Sequence, residues 1–392
     1  MASNHRHRRG RKSDRSPGTR HIGLVIDAVA SYGRGVIRGI MSFCRANPHW
    51  VITVEPAWSF GEPPDVGKWD VDGLIVQTFS REFENRVLRL KLATTNVSNF
   101  CEKPNRLPTV LPDDRAIGEM AADYLLSLGF RDLGFCWRGG MLYAKLRMDA
   151  FIARAKQAGA RVSVCDADEC DIGQWVAGLP RPIGILGCND DWAHRLLNAI
   201  RRRGAKVPDE VAVLGVDDDE LFNTLVTPSL SSIALPVEQI GFQAAAMLDR
   251  IMDGEHPPET PLLLPPLKVV PRQSTDVLTV SDPDVVLALR FIREQATRPL
   301  QVDDVLDHVA LSRRSLERRF RQFVGRSISD EIRRTHVERA KHLLISTELS
   351  MPQVASASGF TSATRLGIVF HAEVGEPPTE FRRRSRGLGA SA

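Results

Sequence analysis

Residues 311–320 read LSRRSLERRF, and the fold of the C-terminal part turns on them. A helix advances about 100° per residue. On that wheel Leu316, Phe320 and Phe323 cluster on one side, while Arg314, Glu317, Arg318 and Arg321 make a continuous polar ridge nearly opposite. Ser312 stands at the N-cap position and Arg313 follows it. Just upstream, VDDVLDHVA (302–310) reads as a second short helix joined by a tight connection. A helix, a turn and a cationic second helix form a helix-turn-helix, whose second helix enters the DNA major groove.

One such motif is a weak signal, but here it repeats. Val302, Val305, Ala310 and Leu311 correspond to Met351, Val354, Gly359 and Phe360 at an offset of 49. Leu316 and Phe320 correspond to Leu366 and Phe370 at an offset of 50, so one residue is added in the turn. Gly359 suits a turn that needs a left-handed residue. Ser350 caps the second unit and Pro352 lies in its tolerant first turn. Between the units, VERAKHLLIS (337–346) reads as a helix fixing their separation. Two recognition helices so held reach successive major grooves, about 34 Å apart.

The copies are unequal: Arg314, Glu317, Arg318 and Arg321 become Thr364, Gly367, Ile368 and His371. Arginine pairs with guanine edges or phosphates, and Glu317 accepts from cytosine. Thr364 and Ile368 offer at most contact with a thymine methyl. The first unit is therefore expected to supply most base readout, and the second phosphate contacts through Arg365 and shape reading.

The remainder of the chain is of another kind. With 392 residues, 43% hydrophobic and 26% charged, it can build more than one packed domain. Net charge is only +4, but residues 311–341 hold ten Lys or Arg against four Asp or Glu. From His21 to Thr275, Val/Ile/Leu-rich runs such as HIGLVIDA, IGILGCND and VAVLGVDDD alternate with amphipathic helical stretches. That pattern predicts doubly wound parallel sheets, and the number of units predicts two lobes. Residues 276–284 read as a linker, and 285–386 as the all-helical domain with its two units at 301–323 and 350–372. The basic stretch 1–20 reads as a solvated, disordered tail with no apolar core.

In doubly wound sheets ligands bind beyond the C-terminal strand ends. Asp27, Tyr32 and Arg34 follow the first strand, Asn189, Asp190, Asp191 and Trp192 follow GILGC, and Asp217 follows AVLGV; Arg147 opens the helix after LGFCW. Carboxylates accept hydroxyl hydrogens, a guanidinium donates in a planar fork, and Tyr32 or Trp192 can cover the apolar face of a sugar. Asp113, Asp114 and Asp191 are expected to serve as helix caps instead. No nucleophile elbow, P-loop, metal motif or other catalytic constellation occurs, so no enzyme, cofactor or metal is expected. The six cysteines form no C-x-x-C pair and most lie in apolar runs, so reduced buried thiols and a cytoplasmic setting are expected. No apolar run has the length of a membrane span.

On LSRRSLERRFRQFVGRSISDEI, RAKHLLISTELSMPQVASASGF and EVGEPPTEFRR, residues 284–384 resemble the DNA-binding domain of AraC-family activators. The stretch ATRLGIVF departs from that family, which usually has an aromatic pair and then an arginine there. On VLGVDDDEL, TPSLSSIALPVEQIGFQAAAMLDRIMDG and PPLKVVPRQST, residues 21–275 resemble the sugar-sensing core of lactose-repressor-type regulators, itself similar to periplasmic sugar-binding proteins. The sensor preceding an AraC-type domain resembles bacterial xylose operon regulators. The resemblance implies an α/β two-lobed sensor followed by an all-α domain, a pentose effector with xylose first, contacts from Arg147, Asp190 and Asp217, double-stranded DNA as partner, and a homodimer that acts with RNA polymerase. The competing expectation is a sugar-binding or sugar-modifying protein whose C-terminal helices serve only association.

Overall fold

The computed structural model describes residues 18–54, 64–101, 104, 106–276 and 282–385, with backbone alone at 283, 342, 346, 384 and 385. The expected tail therefore lies, up to residue 17, outside the described residues, as does most of the expected linker. The chain divides into two compact units between Asp276 and Val277.

In the first unit, β1 (Arg20–Val25), α1 (Ser31–Ala46), β2 (Trp50–Val54), β3 (Gly73–Val76), α2 (Arg81–Leu90) and β4 (Ala93–Asn96) build one lobe on a parallel sheet of order β2-β1-β3-β4. Its inner strands carry Ile22, Leu24, Val25, Leu74, Ile75 and Val76, all buried. Such runs can be this apolar because helices cover both faces of a parallel sheet. β1 starts one residue into the expected tail: Arg20 pairs with Asp249 and Asp253.

The chain then crosses through β5 (Val110–Pro112) into the second lobe. There α3 (Asp114–Ser127), β6 (Asp132–Trp137), α4 (Leu142–Gln157), β7 (Arg161–Asp166), α5 (Ile172–Gly178), β8 (Ile183–Gly187), α6 (Asp190–Arg202), β9 (Val211–Val216), α7 (Glu220–Leu225) and β10 (Ser231–Ala234) follow in turn. Next, α8 (Val237–Met252) returns to the first lobe. β11 (Leu262–Leu264) pairs with β5, and β12 (Lys268–Val270) closes the second sheet antiparallel to β10, in the order β12-β10-β9-β8-β6-β7. Gly35 and Gly39 of GRGVIRG serve helix packing: a Cβ on Gly39 of α1 would lie 1.9 Å from the Glu238 carbonyl oxygen of α8. The cysteine expectation needs correction. Cys165, at the end of edge strand β7, is disulfide-bonded to Cys170, five residues on. Neither is part of a C-x-x-C motif, so spacing rules did not flag the pair. Cys136, in β6, and Cys188, just past β8, are free and buried.

The second unit comprises α9 (Pro283–Glu294), α10 (Val302–Val309), α11 (Arg313–Val324), α12 (Ile328–Ser346), α13 (Met351–Ala357), α14 (Ala363–Val374) and α15 (Pro378–Ser385). Helix α9 starts inside the expected linker, because Asp282 caps it by accepting from Asp284 N and Val285 N. Two small cores share α12. Ile328 and Ile332 pack with Val305, Leu316 and Phe320, while Val337, Ala340 and Leu344 pack with Val354, Leu366 and Phe370. One continuous helix thus sets the spacing of the two helix-turn-helix units. Phe323 departs from its expected side: it is 38% exposed, at the edge of the apolar stripe.

The repeat is visible in the backbone. Recognition helices α11 and α14 begin at caps Ser312 and Ser362, each accepting from the N–H three residues on, and end at Gly325 and Gly375 with φ of 78° and 85°. In the turns, Ala310 and Gly359 both adopt left-handed φ, 56° and 78°. Only the second position demands glycine for space as well: a Cβ there would meet His336 Nε2 at 2.6 Å and the Arg298 carbonyl oxygen at 2.8 Å.

Candidate functional site

Between the two lobes lies a cavity of about 110 Å³. Asp27 and Gln77 reach it from strand ends of the first lobe and Tyr32 from the first turn of α1; Asp114, Tyr143, Arg147, Asn189, Asp191 and Asp217 reach it from the second; Ser98, Asn99 and Phe100 line it from the crossing segment.

Its centre is Arg147, in the second turn of α4 rather than at the helix start, and only 3% exposed. Its Nε donates to Asp114 Oδ1 at 2.9 Å and its Nη1 to the Cys188 carbonyl at 2.6 Å. The guanidinium also lies 4.9 Å from the Tyr143 ring centroid. Burial opposes its charge, but Asp114 and Asp217 outweigh burial, and its pKa lies above the ordinary arginine value. Asp114, expected as a cap, instead orients this arginine, and Asp113 caps α3 by accepting from Arg115 N and Ala116 N.

Asp217 is the unusual member. It sits at φ 111°, a backbone region that costs a non-glycine residue about 1–3 kcal/mol, and persists where the surroundings enforce it. Its N–H is held by the Ile233 carbonyl at 3.0 Å. Its carboxylate accepts no hydrogen bond from any described residue. Burial pushes that carboxyl well above the usual range, against the pull of Arg147. A strained, unmatched acceptor beside a fixed guanidinium is suited to a ligand hydroxyl. Tyr32 donates to the Val97 carbonyl at 2.8 Å, which fixes its ring at the wall, and burial raises its phenol pKa.

Two expected contacts lie elsewhere. Asp190 does not line the cavity: Oδ1 accepts from Ser232 Oγ at 2.6 Å, and Oδ2 from Asp219 N at 2.9 Å and Asn223 Nδ2 at 2.8 Å. Asp190 thus ties together β10, α7 and the loop that carries Asp217, and Asp191, its neighbour, faces the cavity instead. Trp192 packs on the second-lobe core with Arg195 4.9 Å from its ring, because Asn189 caps α6 and turns that side chain away. The aromatic wall comes from Phe100 and Tyr143, whose rings meet edge-on at 5.5 Å. Sequence reasoning missed Gln77, Ser98, Asn99, Phe100 and Tyr143. Only Gln77, just beyond a buried strand, carried a positional signal. The lobes are also joined by Arg34 Nη2 donating to Asp219 Oδ2 at 3.0 Å.

In the second unit Arg314, Arg318 and Arg321 are exposed on one side of α11, and Thr364, Arg365, Ile368 and His371 are exposed on α14. Arg313 is exposed and pairs with Asp303 at 3.4 Å. Glu317 differs from expectation: it is half-buried, with Oε2 enclosed and unmatched. Arg319 points inward, holding Asp282 and Asp284 at 3.2 and 2.8 Å, and so anchors α11 to the start of α9. Gly367 stands in the middle of α14, where glycine costs about 0.5–1 kcal/mol relative to alanine. A Cβ there would meet nothing within 4 Å.

A ligand cavity between doubly wound lobes, followed by paired helix-turn-helix units, defines a ligand-responsive transcription regulator. A family model described as a periplasmic binding protein-like domain matches residues 122–275, and one described as a helix-turn-helix domain matches residues 305–384. The xylose operon regulatory protein of Escherichia coli (strain K12) is 30% identical over 378 residues, covering 92% of this chain and 96% of the relative. That of Haemophilus influenzae is 29% identical, covering 92% and 97%. A solved structure of the xylose-binding transcription activator xylR superposes with a TM-score of 0.74 at 28% identity, covering 94% of this chain and 99% of that one. The chain belongs to the family of xylose operon regulatory proteins. Among the described residues no helix is long and apolar enough to cross a membrane, and no group of three or more His, Cys, Asp or Glu is placed to hold a metal ion.

Proposed function

We propose that this chain is a cytoplasmic, non-enzymatic activator of a xylose catabolic operon, with D-xylose bound in the interlobe cavity and DNA read by α11 and α14. The observation that carries the effector reading is Asp217, strained and unmatched beside Arg147. Four aspartates line the cavity against one arginine, which favours a neutral polyhydroxyl guest and disfavours sugar phosphates and sugar acids. The small volume, below the roughly 300–1,000 Å³ of drug-sized sites, suits a monosaccharide. Sugar bridging both lobes stabilises the closed arrangement; differential affinity for that state shifts the population that presents the DNA-binding unit. A homodimer doubles the DNA footprint and contacts with RNA polymerase complete activation.

The test is a thermal-shift panel of pentoses, hexoses and xylose 5-phosphate, with retardation of promoter DNA across a salt series. A ligand selective for the folded state raises the melting temperature. The reading requires a shift with xylose, little with the phosphate ester, and retardation that falls steeply with salt. A larger shift with the phosphate ester would refute the charge argument.

A further inference from the structure

Helix α14 carries an apolar group where α11 carries an arginine. Ile368 is 59% exposed and corresponds to Arg318, while Thr364 corresponds to Arg314 and Gly367 to Glu317. The apolar stripe that fills the core is complete without it, since Leu366, Val369 and Phe370 are buried. Gly367, beside it, destabilises a helix interior and no atom of the protein needs the space it leaves. An exposed β-branched methyl face and a gap for close backbone approach therefore share one side of a recognition helix, flanked by Arg365 and His371 with no carboxylate between them.

We infer that α14 reads thymine methyl groups through Ile368 and Thr364, with Gly367 admitting the base edge, so that the operator pairs a guanine-containing half for α11 with a thymine-containing half for α14. This rests on the DNA-binding reading above and adds the base class read by the second helix. In the major groove thymine alone presents a methyl, and apolar side chains recognise it. The cationic ridge of α11 and the apolar face of α14 occupy matching positions in the repeat, so DNA is the occupant common to both. A partner protein on α14 is the competing outcome.

The full chain, saturated with D-xylose, is used to select duplexes from a random-sequence pool, and the recovered duplex is the probe. Thymine is then replaced by uracil at single positions, which removes only the methyl. Wild type should weaken about four-fold per contacted methyl, the factor for one buried CH₂. The Ile368→Ala chain should bind the thymine duplex more weakly and be indifferent to uracil at one thymine, the one Ile368 touches, while any methyl read by Thr364 still counts. Gly367→Ala should melt at a higher temperature yet lose affinity for the same duplex. The inference fails if uracil leaves wild type unchanged or weakens wild type and Ile368→Ala equally. It also fails if Ile368→Ala keeps full affinity and loses only transcriptional activation, which would assign the face to a protein partner. In these cases a reduced salt slope or lost sequence discrimination in Arg318→Ala shows that DNA reading itself stands; a pool with no enrichment overturns both.

Discussion

The two aspartates Asp190 and Asp217 sit one strand end apart and look alike in sequence, but the structure gives them opposite responses to alanine. Removing the Asp190 carboxylate strands three donors: Ser232 Oγ, Asp219 N and Asn223 Nδ2. Ser232 and Asn223 are fully buried. At about 1–3 kcal/mol for each buried unmatched group, the cost is about 2–6 kcal/mol. For a unit of this size that lowers the melting temperature by roughly 5–20 °C. Asp217→Ala strands no described donor, because its carboxylate has none, and Arg147 keeps Asp114 and the Cys188 carbonyl. Its unliganded melting temperature should move by a few degrees at most. Its loss appears on titration with xylose: each hydrogen bond its carboxyl makes to a sugar hydroxyl is worth about 0.5–1.5 kcal/mol, or roughly 2–13-fold in affinity. Differential scanning fluorimetry of both variants, with and without graded xylose, separates the two effects. An Asp217→Ala chain that melts far below wild type yet keeps the full xylose shift, alongside a stable Asp190→Ala chain that has lost it, would refute the assignment.

Four further outcomes follow from the same structure. Burial pushes the Asp190 carboxyl up to about 7 against the pull of its three donors, so the folded state holds a proton more tightly than the unfolded one; the contribution to stability is complete below about pH 4, is lost as pH rises to 7, and shrinks in Asp190→Asn, as denaturant melts across pH 4–8 would show. Gly359→Ala combines a left-handed φ with a 2.8 Å approach to a backbone oxygen and should cost about 2–5 kcal/mol, whereas Ala310→Gly, at the equivalent turn, should be neutral to within about 1 kcal/mol by urea titration of the full chain. Arg318→Ala should reduce the salt slope of DNA binding by about 0.9 if it meets a phosphate, or abolish sequence discrimination if it meets guanine; Arg319→Ala, which loses its ties to Asp282 and Asp284, should instead lower stability by about 1 kcal/mol. Arg34→Ala removes the tie to Asp219 between the lobes and should weaken xylose binding a few-fold with a matching rise in the dissociation rate, read by stopped-flow tryptophan fluorescence.

The C-terminal fold was legible because its information is periodic. Leu316, Phe320, Leu366 and Phe370 recur at one spacing, and burial of all four follows from helix geometry. Ser312, Ser350 and Gly359 were legible as caps and turn because each has a local chemical reason. The strand–helix alternation revealed the lobes, but short or half-exposed strands such as β7 and β12 lack a continuous apolar run and carried little signal. The cavity was only partly legible. Arg147, Tyr32 and Asp217 stand where strand-end reasoning places ligand contacts, whereas Phe100 and Tyr143 come together through a crossing segment and a helix far apart in the chain. Asp190 and Asp191 differ by one helical step of about 100°, which decides which faces the cavity, and the sequence is silent on where Asn189 starts the helix. Arg319 read as a member of the cationic run because its carboxylate partners lie 35 and 37 residues away.

The same physical distinction separates scaffold from function in both units. Asp190, Arg319 and Asp113 each make their hydrogen bonds to groups of the protein, and their loss would be felt as stability. Asp217, Arg318 and the Ile368–Gly367 face have no match among the described residues, and at Asp217 and Gly367 the chain tolerates a conformational cost. A folded chain under selection for stability alone would relax both positions, with glycine in place of Asp217 and alanine in place of Gly367. A sugar hydroxyl in one unit and a base edge in the other would complete them, as proposed above. The pair Asp217→Gly and Gly367→Ala puts this to the test: each should raise the melting temperature while reducing, respectively, the xylose shift and operator affinity. If either variant is stabilised with its binding intact, the unmatched group at that position has no role in recognition.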